Sequence, residues 1–188
     1  MKLNFLILFL SFLFSYTEDT LTINPITFDT PSPIGWNAQY KTNVSFPEKN
    51  SWRKILMIQT LKCDSLTAGD KFPCGEWDYI WSTIVEVEND STIESFCLGS
   101  FVTPYGKRLK LGSELGWEWI YDITEYSPIL NGDLKLIVGN NQELLDLKFK
   151  FIRGKPIRDI LSVQNIYPHG EYKYELLAND SLLKNKTI

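Results

Sequence analysis

The run Cys74-Gly75-Glu76-Trp77-Asp78-Tyr79 sets two carboxylates two residues apart, beside a cysteine and at the mouth of an aromatic segment. Acidic residues are normally thinned out of strands, so a pair at such a place calls for a reason. In an extended segment side chains alternate between faces. Glu76 and Asp78 then project together, roughly 6–7 Å apart at ~3.3 Å rise per residue, with Trp77 and Tyr79 on the opposite face. Neighbouring carboxylates can divide acid and base roles when their environments push their pKa values apart. A solvated pair on a strand end is the other reading of the same spacing. The chain has one histidine, His169, between Pro168 and Gly170 in a turn pattern. No Ser/His/Asp or Cys/His set, metal-ligand cluster or glycine-rich phosphate loop can be built around it, and the reading calls for neither metal nor cofactor.

The elements that must carry these groups read as strands almost from end to end. Trp77 to Val87 places Trp77, Tyr79, Trp81, Thr83, Val85 and Val87 on one face, and Leu145, Leu147, Phe149 and Phe151 alternate with Asp146, Lys148 and Lys150. Lys54 to Thr60 is a short apolar run, and further strands are expected at Leu21 to Phe28, Ser95 to Thr103, Trp117 to Ile123, Asp133 to Val138 and Asp159 to Ile166. Pro31-Ser32-Pro33, Pro104-Tyr105-Gly106, Asn131-Gly132 and Gly139-Asn140-Asn141 are turn chemistry between them. Glu125 to Leu130 carries the one helical hint, kept short by Pro128. Many short strands at even spacing indicate an all-β fold, an antiparallel sandwich or jelly roll. Trp81, Phe149 and Phe151 belong to its core. Trp117-Glu118-Trp119 sets both indoles on one face, either as core with Glu118 solvated or as a platform for stacking carbohydrate.

Lys2 precedes an apolar run from Leu6 to Phe14, too short to span a bilayer and with the proportions of a signal-peptide core. Residues 1–18 are read as a signal peptide, and the mature chain as secreted or extracytoplasmic with no stable membrane span. Sequons at Asn43, Asn89, Asn179 and Asn185 suit that route. Twenty-three acidic against nineteen basic residues, with no basic tract, argue against nucleic acid as a partner. Three cysteines permit one disulfide and leave one over. Cys63 and Cys74 bracket a polar loop, so bridging them would pin it beside the carboxylate pair, while Cys97 reads as an inert buried thiol.

Cys74 through Tyr79 together with Leu98-Gly99-Ser100-Phe101-Val102-Thr103-Pro104-Tyr105 and Gly116 through Ile123-Thr124-Glu125-Tyr126 resembles the N-terminal domain of the peptide:N-glycosidase F family. Asn131-Gly132-Asp133-Leu134-Lys135-Leu136 and Phe149 through Pro156 are similar in order and spacing, so the likeness runs from about Thr22 to about Tyr174. It implies the first of two adjacent eight-stranded jelly rolls, here residues 19–157, with 158–188 a domain junction or the start of a second domain. It also implies a cofactor-free amidase that hydrolyses the bond between a glycan-bearing asparagine side chain and its sugar, with N-linked glycan or glycopeptide as partner in a cleft shared by the two rolls. The family's principal catalytic carboxylate falls on Asp78, with Glu76 a weaker candidate. Trp77, Trp117 and Trp119 are the substrate-binding candidates, and the family's disulfide falls on Cys63 and Cys74.

The chain departs from that pattern twice. Gly139, Asn140 and Asn141 stand where the family carries a glutamate followed two positions later by a tryptophan, and the chain stops soon after Tyr174. The expectation is therefore an amidase half that is incomplete or inactive alone. A secreted module that binds glycan or glycopeptide without cleaving it is the alternative. The copper monooxygenases with paired jelly rolls need several histidine and methionine ligands, which one histidine and two methionines cannot supply.

Overall fold

Apolar residues at every second position make each segment a strand with one face to bury, and two such sheets satisfy each other. The computed structural model describes residues 19–35, 37–49, 51–66, 77–89, 92–103, 116–139 and 143–160. Within them lie β1 (Thr20–Ile26), β2 (Tyr40–Phe46), β3 (Trp52–Cys63), β4 (Ile80–Asn89), β5 (Thr92–Val102), β6 (Trp117–Asp122), β7 (Gly132–Val138) and β8 (Glu143–Arg153). They form two antiparallel four-stranded sheets, ordered β1-β8-β3-β6 and β2-β7-β4-β5. Only β4 and β5 are joined as neighbours within one sheet; every other connection crosses between sheets, which is jelly-roll connectivity.

β8 shows the patterning most plainly. Leu145, Leu147, Phe149 and Phe151 are fully buried, while Lys148 turns outward to meet Asp146 at 3.1 Å. Burial of each such side chain stabilises the fold by about 1.5–3 kcal/mol. Phe46 meets Phe149 edge-on with centroids 5.1 Å apart, and Trp52 meets Phe151 at the same distance. Midway through the sandwich a polar pair joins the sheets: the Thr83 hydroxyl donates to Gln59 Oε1 at 2.8 Å, both residues being fully buried. The outer edge of β5 is protected from stray pairing by two phenols, since Tyr126 donates to the Cys97 carbonyl at 2.8 Å and Tyr121 to the Ser100 carbonyl at 3.2 Å.

Several sequence expectations need correction. The strand placed from Trp77 begins at Ile80, whereas the alternation read along it holds, with Trp81, Thr83 and Val85 buried on the inner face; the register shift opposite Thr83 and Ile84 puts the extra residue, Leu98, into β5. Asp159 and Ile160 are not in a strand; the remainder of that expected element lies outside the described residues, as do the signal segment and most of 158–188. β2 had no counterpart in the expectation, although Tyr40, Val44 and Phe46 alternate inward along it. The helical hint is a single 3-10 turn at Thr124–Tyr126. Among the described residues no helix is long and apolar enough to cross a membrane.

Candidate functional site

One end of the sandwich collects the chemistry. β3 ends there at Cys63, opposite Glu143 at the start of β8, and Trp117 at the start of β6 lies opposite Leu61. β2 begins there at Tyr40, paired with Val138 at the end of β7, and β4 begins with Ile80 against Val102 near the end of β5. Asp78 precedes β4 at this end and is exposed, as is Trp77 with 48% of its surface accessible. Trp77 is thus not a core residue, and its neighbour Asp78 stands in solvent on a rim rather than inside the sandwich. Glu76 and Cys74 lie outside the described residues.

An aromatic file closes the side of the sandwich at that end. Trp81 is fully buried with its ring 6.3 Å from Phe101 and tilted 20°; Phe101 stacks on Trp119 at 4.0 Å and 14°; Trp119 meets Trp117 at 6.3 Å and 46°. The two indoles of β6 share the inner face, as the sequence suggested, and Glu118 is exposed on the other. Trp119 is held in the stack, whereas Trp117 at its outer end keeps 44% of its surface accessible. The backbone at Gly116 explains how β6 comes so close. A Cβ there would sit 2.4 Å from the Leu61 carbonyl oxygen.

Gly139 accounts for one departure from the expected glutamate. Its φ is +102°, which strains any L side chain, and a Cβ would also press to 3.1 Å on the Trp81 indole. Its N–H donates to the Ser82 carbonyl at 3.0 Å, tying β7 to β4. Asn140 and Asn141 lie outside the described residues.

Beneath the rim is a buried polar group that sequence reasoning missed. Asp64 accepts from the Leu66 N–H at 2.8 Å and from the Ser32 hydroxyl, and the Tyr40 hydroxyl donates to the Glu143 carbonyl at 2.6 Å. Burial pushes the Tyr40 phenol well above its ordinary pKa; the Leu145 backbone opposes this, and the charges of Asp64 and Glu143 add to the rise. Ser32 and Asp64, and Tyr40 and Glu143, are 32 and 103 residues apart in sequence and leave no local signal. Cys63 is disulfide-bonded and Cys97 is free. Cys97 is half-buried rather than fully buried, because its side chain faces outward on an edge strand; burial raises its pKa, opposed by hydrogen bonding with the Gly99 backbone and the Ser82 side chain.

Cavities of about 440 and 650 Å³ lie at the opposite end, the first lined by Lys54, Asp122, Thr124 and Arg158, the second by Glu86, Asn131, Asp133 and Lys135. Neither includes Asp78, Trp77 or Trp117, and volume alone assigns them no chemistry.

No protein-family model and no curated protein matches the chain. Solved structures do. A peptide-N(4)-(N-acetyl-β-D-glucosaminyl) asparagine amidase superposes with TM-score 0.54 and 21% identity, over 74% of this chain and 44% of that one. PNGase F, a glycosylasparaginase from Flavobacterium meningosepticum, superposes with TM-score 0.50 at 21% identity, over 74% and 43%. The chain spans less than half the length of the structures it matches, and likeness at that identity is one of fold.

Proposed function

We propose that this chain is the Asp78-bearing jelly roll of a peptide:N-glycosidase-type amidase acting on N-glycosylated asparagine, secreted after loss of residues 1–18 and incomplete without a second jelly roll. The observation that carries the reading is the exposed Asp78 carboxylate on the aromatic rim, in a jelly roll similar in fold to two solved amidases. In this reading Asp78 takes a proton from a water that adds to the asparagine side-chain carbonyl carbon. The carbon–nitrogen bond then breaks, the proton passes to the departing nitrogen, and the products are a glycosylamine and an aspartate. Glu76 stands near enough in sequence to assist. Trp77 and Trp117 offer faces to sugar, and Trp119 supports Trp117. A Cys63–Cys74 bridge would hold the preceding loop.

The test is incubation with a denatured N-glycoprotein, followed by chromatography for free glycan and mass analysis for the one-dalton asparagine-to-aspartate change. The 188-residue chain should release little, because orienting water, carboxylates and substrate together can lower a barrier by about 7–11 kcal/mol and half a cleft supplies only part of that. Adding a second jelly roll should restore release, and Asp78→Asn should abolish it. Release unaffected by Asp78→Asn overturns the assignment. The exposure of Trp117 favours one second reading, a glycan-binding module without turnover. Binding on a glycan array that is lost in Trp117→Ala and kept in Asp78→Asn, with no product in any combination, would establish it in place of the first.

A further inference from the structure

Among the described residues the Asp78 carboxylate has no hydrogen bond, so its place is set by the backbone that carries it. That backbone is held one residue downstream by an unusual pair. In a regular antiparallel ladder, Tyr79 and Thr103 would follow Ile80 and Val102 as a pair exchanging both N–H···O=C bonds. One of the two is present: the Thr103 N–H donates to the Tyr79 carbonyl at 2.9 Å. The other is replaced. The Tyr79 N–H donates to Oγ1 of Thr103 at 2.9 Å, and the same hydroxyl donates weakly back to the Tyr79 carbonyl at 3.5 Å. Thr103 is 1% exposed, so water cannot stand in for its hydroxyl. The side-chain oxygen of Thr103 thus takes the place of a backbone carbonyl in accepting the Tyr79 amide as the strand ends.

We propose that Thr103 is the positioning residue for Asp78. Its hydroxyl ends the β4–β5 ladder at Tyr79 and thereby fixes the carboxylate immediately upstream, on a rim where no side chain holds it directly. The inference rests on the amidase reading for the use to which Asp78 is put, but its geometry is tested without turnover.

The experiment compares the isotope-labelled 188-residue chain with Thr103→Val, which keeps the shape and removes the acceptor, and Thr103→Ser, which keeps the acceptor. In Thr103→Val the Tyr79 amide should exchange with solvent about tenfold faster, and the Asp78 carboxyl carbon resonance should shift or broaden, while the β3–β8 amides keep their protection. Thr103→Ser should restore both signals. Should Thr103→Val not fold, Thr103→Ala gives the same two readouts. Unchanged Tyr79 exchange with an unchanged Asp78 resonance, or a serine variant that behaves like valine, overturns the proposal. Its failure is separate from that of the amidase reading, which is decided by glycan release and by the effect of Asp78→Asn on it.

Discussion

Phe101 and Trp119 lie face to face across the gap between the two sheets, their ring centroids 4.0 Å apart and their planes within 14°. β5 and β6 are edge strands of different sheets, so this stack is a seam where neither sheet's hydrogen bonding reaches. A double-mutant cycle with Phe101→Leu and Trp119→Leu should therefore show coupling of about 1 kcal/mol beyond the sum of the single losses. Additive losses in urea denaturation would mean the two rings are merely adjacent.

Gly139→Ala should destabilise the protein by at least about 2 kcal/mol. A left-handed backbone costs an L-residue about 1–2 kcal/mol, and the added methyl meets the Trp81 ring at 3.1 Å. The urea midpoint should fall with an unchanged slope, and the buried Trp81 should give an altered fluorescence spectrum. A variant as stable as the parent would show that the end of β7 can move away from the indole.

Acid should weaken the β6 terminus first. Partial burial pushes the Asp122 carboxyl up, but hydrogen bonds from the Thr124 hydroxyl and N–H, together with Lys54 at 3.3 Å, outweigh it and hold the group below its ordinary value. A lowered folded-state pKa means stability that is complete above the unfolded value and is lost as pH falls through the folded one. Asp122→Asn should flatten the stability curve below about pH 4. At neutral pH it should cost under about 1 kcal/mol, since the pair is half exposed and screened.

Cys97 should react slowly with iodoacetamide at pH 8 in the folded chain and readily in urea. Burial raises its thiol, against the Gly99 and Ser82 hydrogen bonds, and keeps the thiolate scarce. Peptide mass mapping of the alkylated site reads the outcome. Rapid native labelling would place this face of β5 in solvent.

Asp78→Asn should leave the thermal midpoint unchanged within the effect of about 0.5 kcal/mol typical of surface changes. The carboxylate is exposed and bonded to nothing among the described residues, so any loss of function in this variant is a loss of chemistry rather than of fold.

Period-two patterning by itself determined the class of fold. Leu145 to Phe151 can hide its apolar half only as a strand on a two-sheet core, and Trp81, Phe149 and Phe151 follow into that core from spacing alone. The pairing of Trp117 with Trp119 on one face was legible for the same reason, whereas Asp78 precedes the strand in which that patterning set it. Tertiary structure decided the rest, because the partners are distant in sequence. The extra residue Leu98 resets the register of β5 against β4, and the late start of β4 leaves Trp77 in solvent. Gly139 has a backbone at φ +102° and lies tight against Trp81, fifty-eight positions earlier. The stack that separates Trp119 from Trp117, the Gln59–Thr83 pair and the Thr103 clamp on Tyr79 each join residues that meet only once the strands are assembled. Local pattern reports which face a side chain takes; what it meets there is set by the register and order of strands, which no local pattern contains.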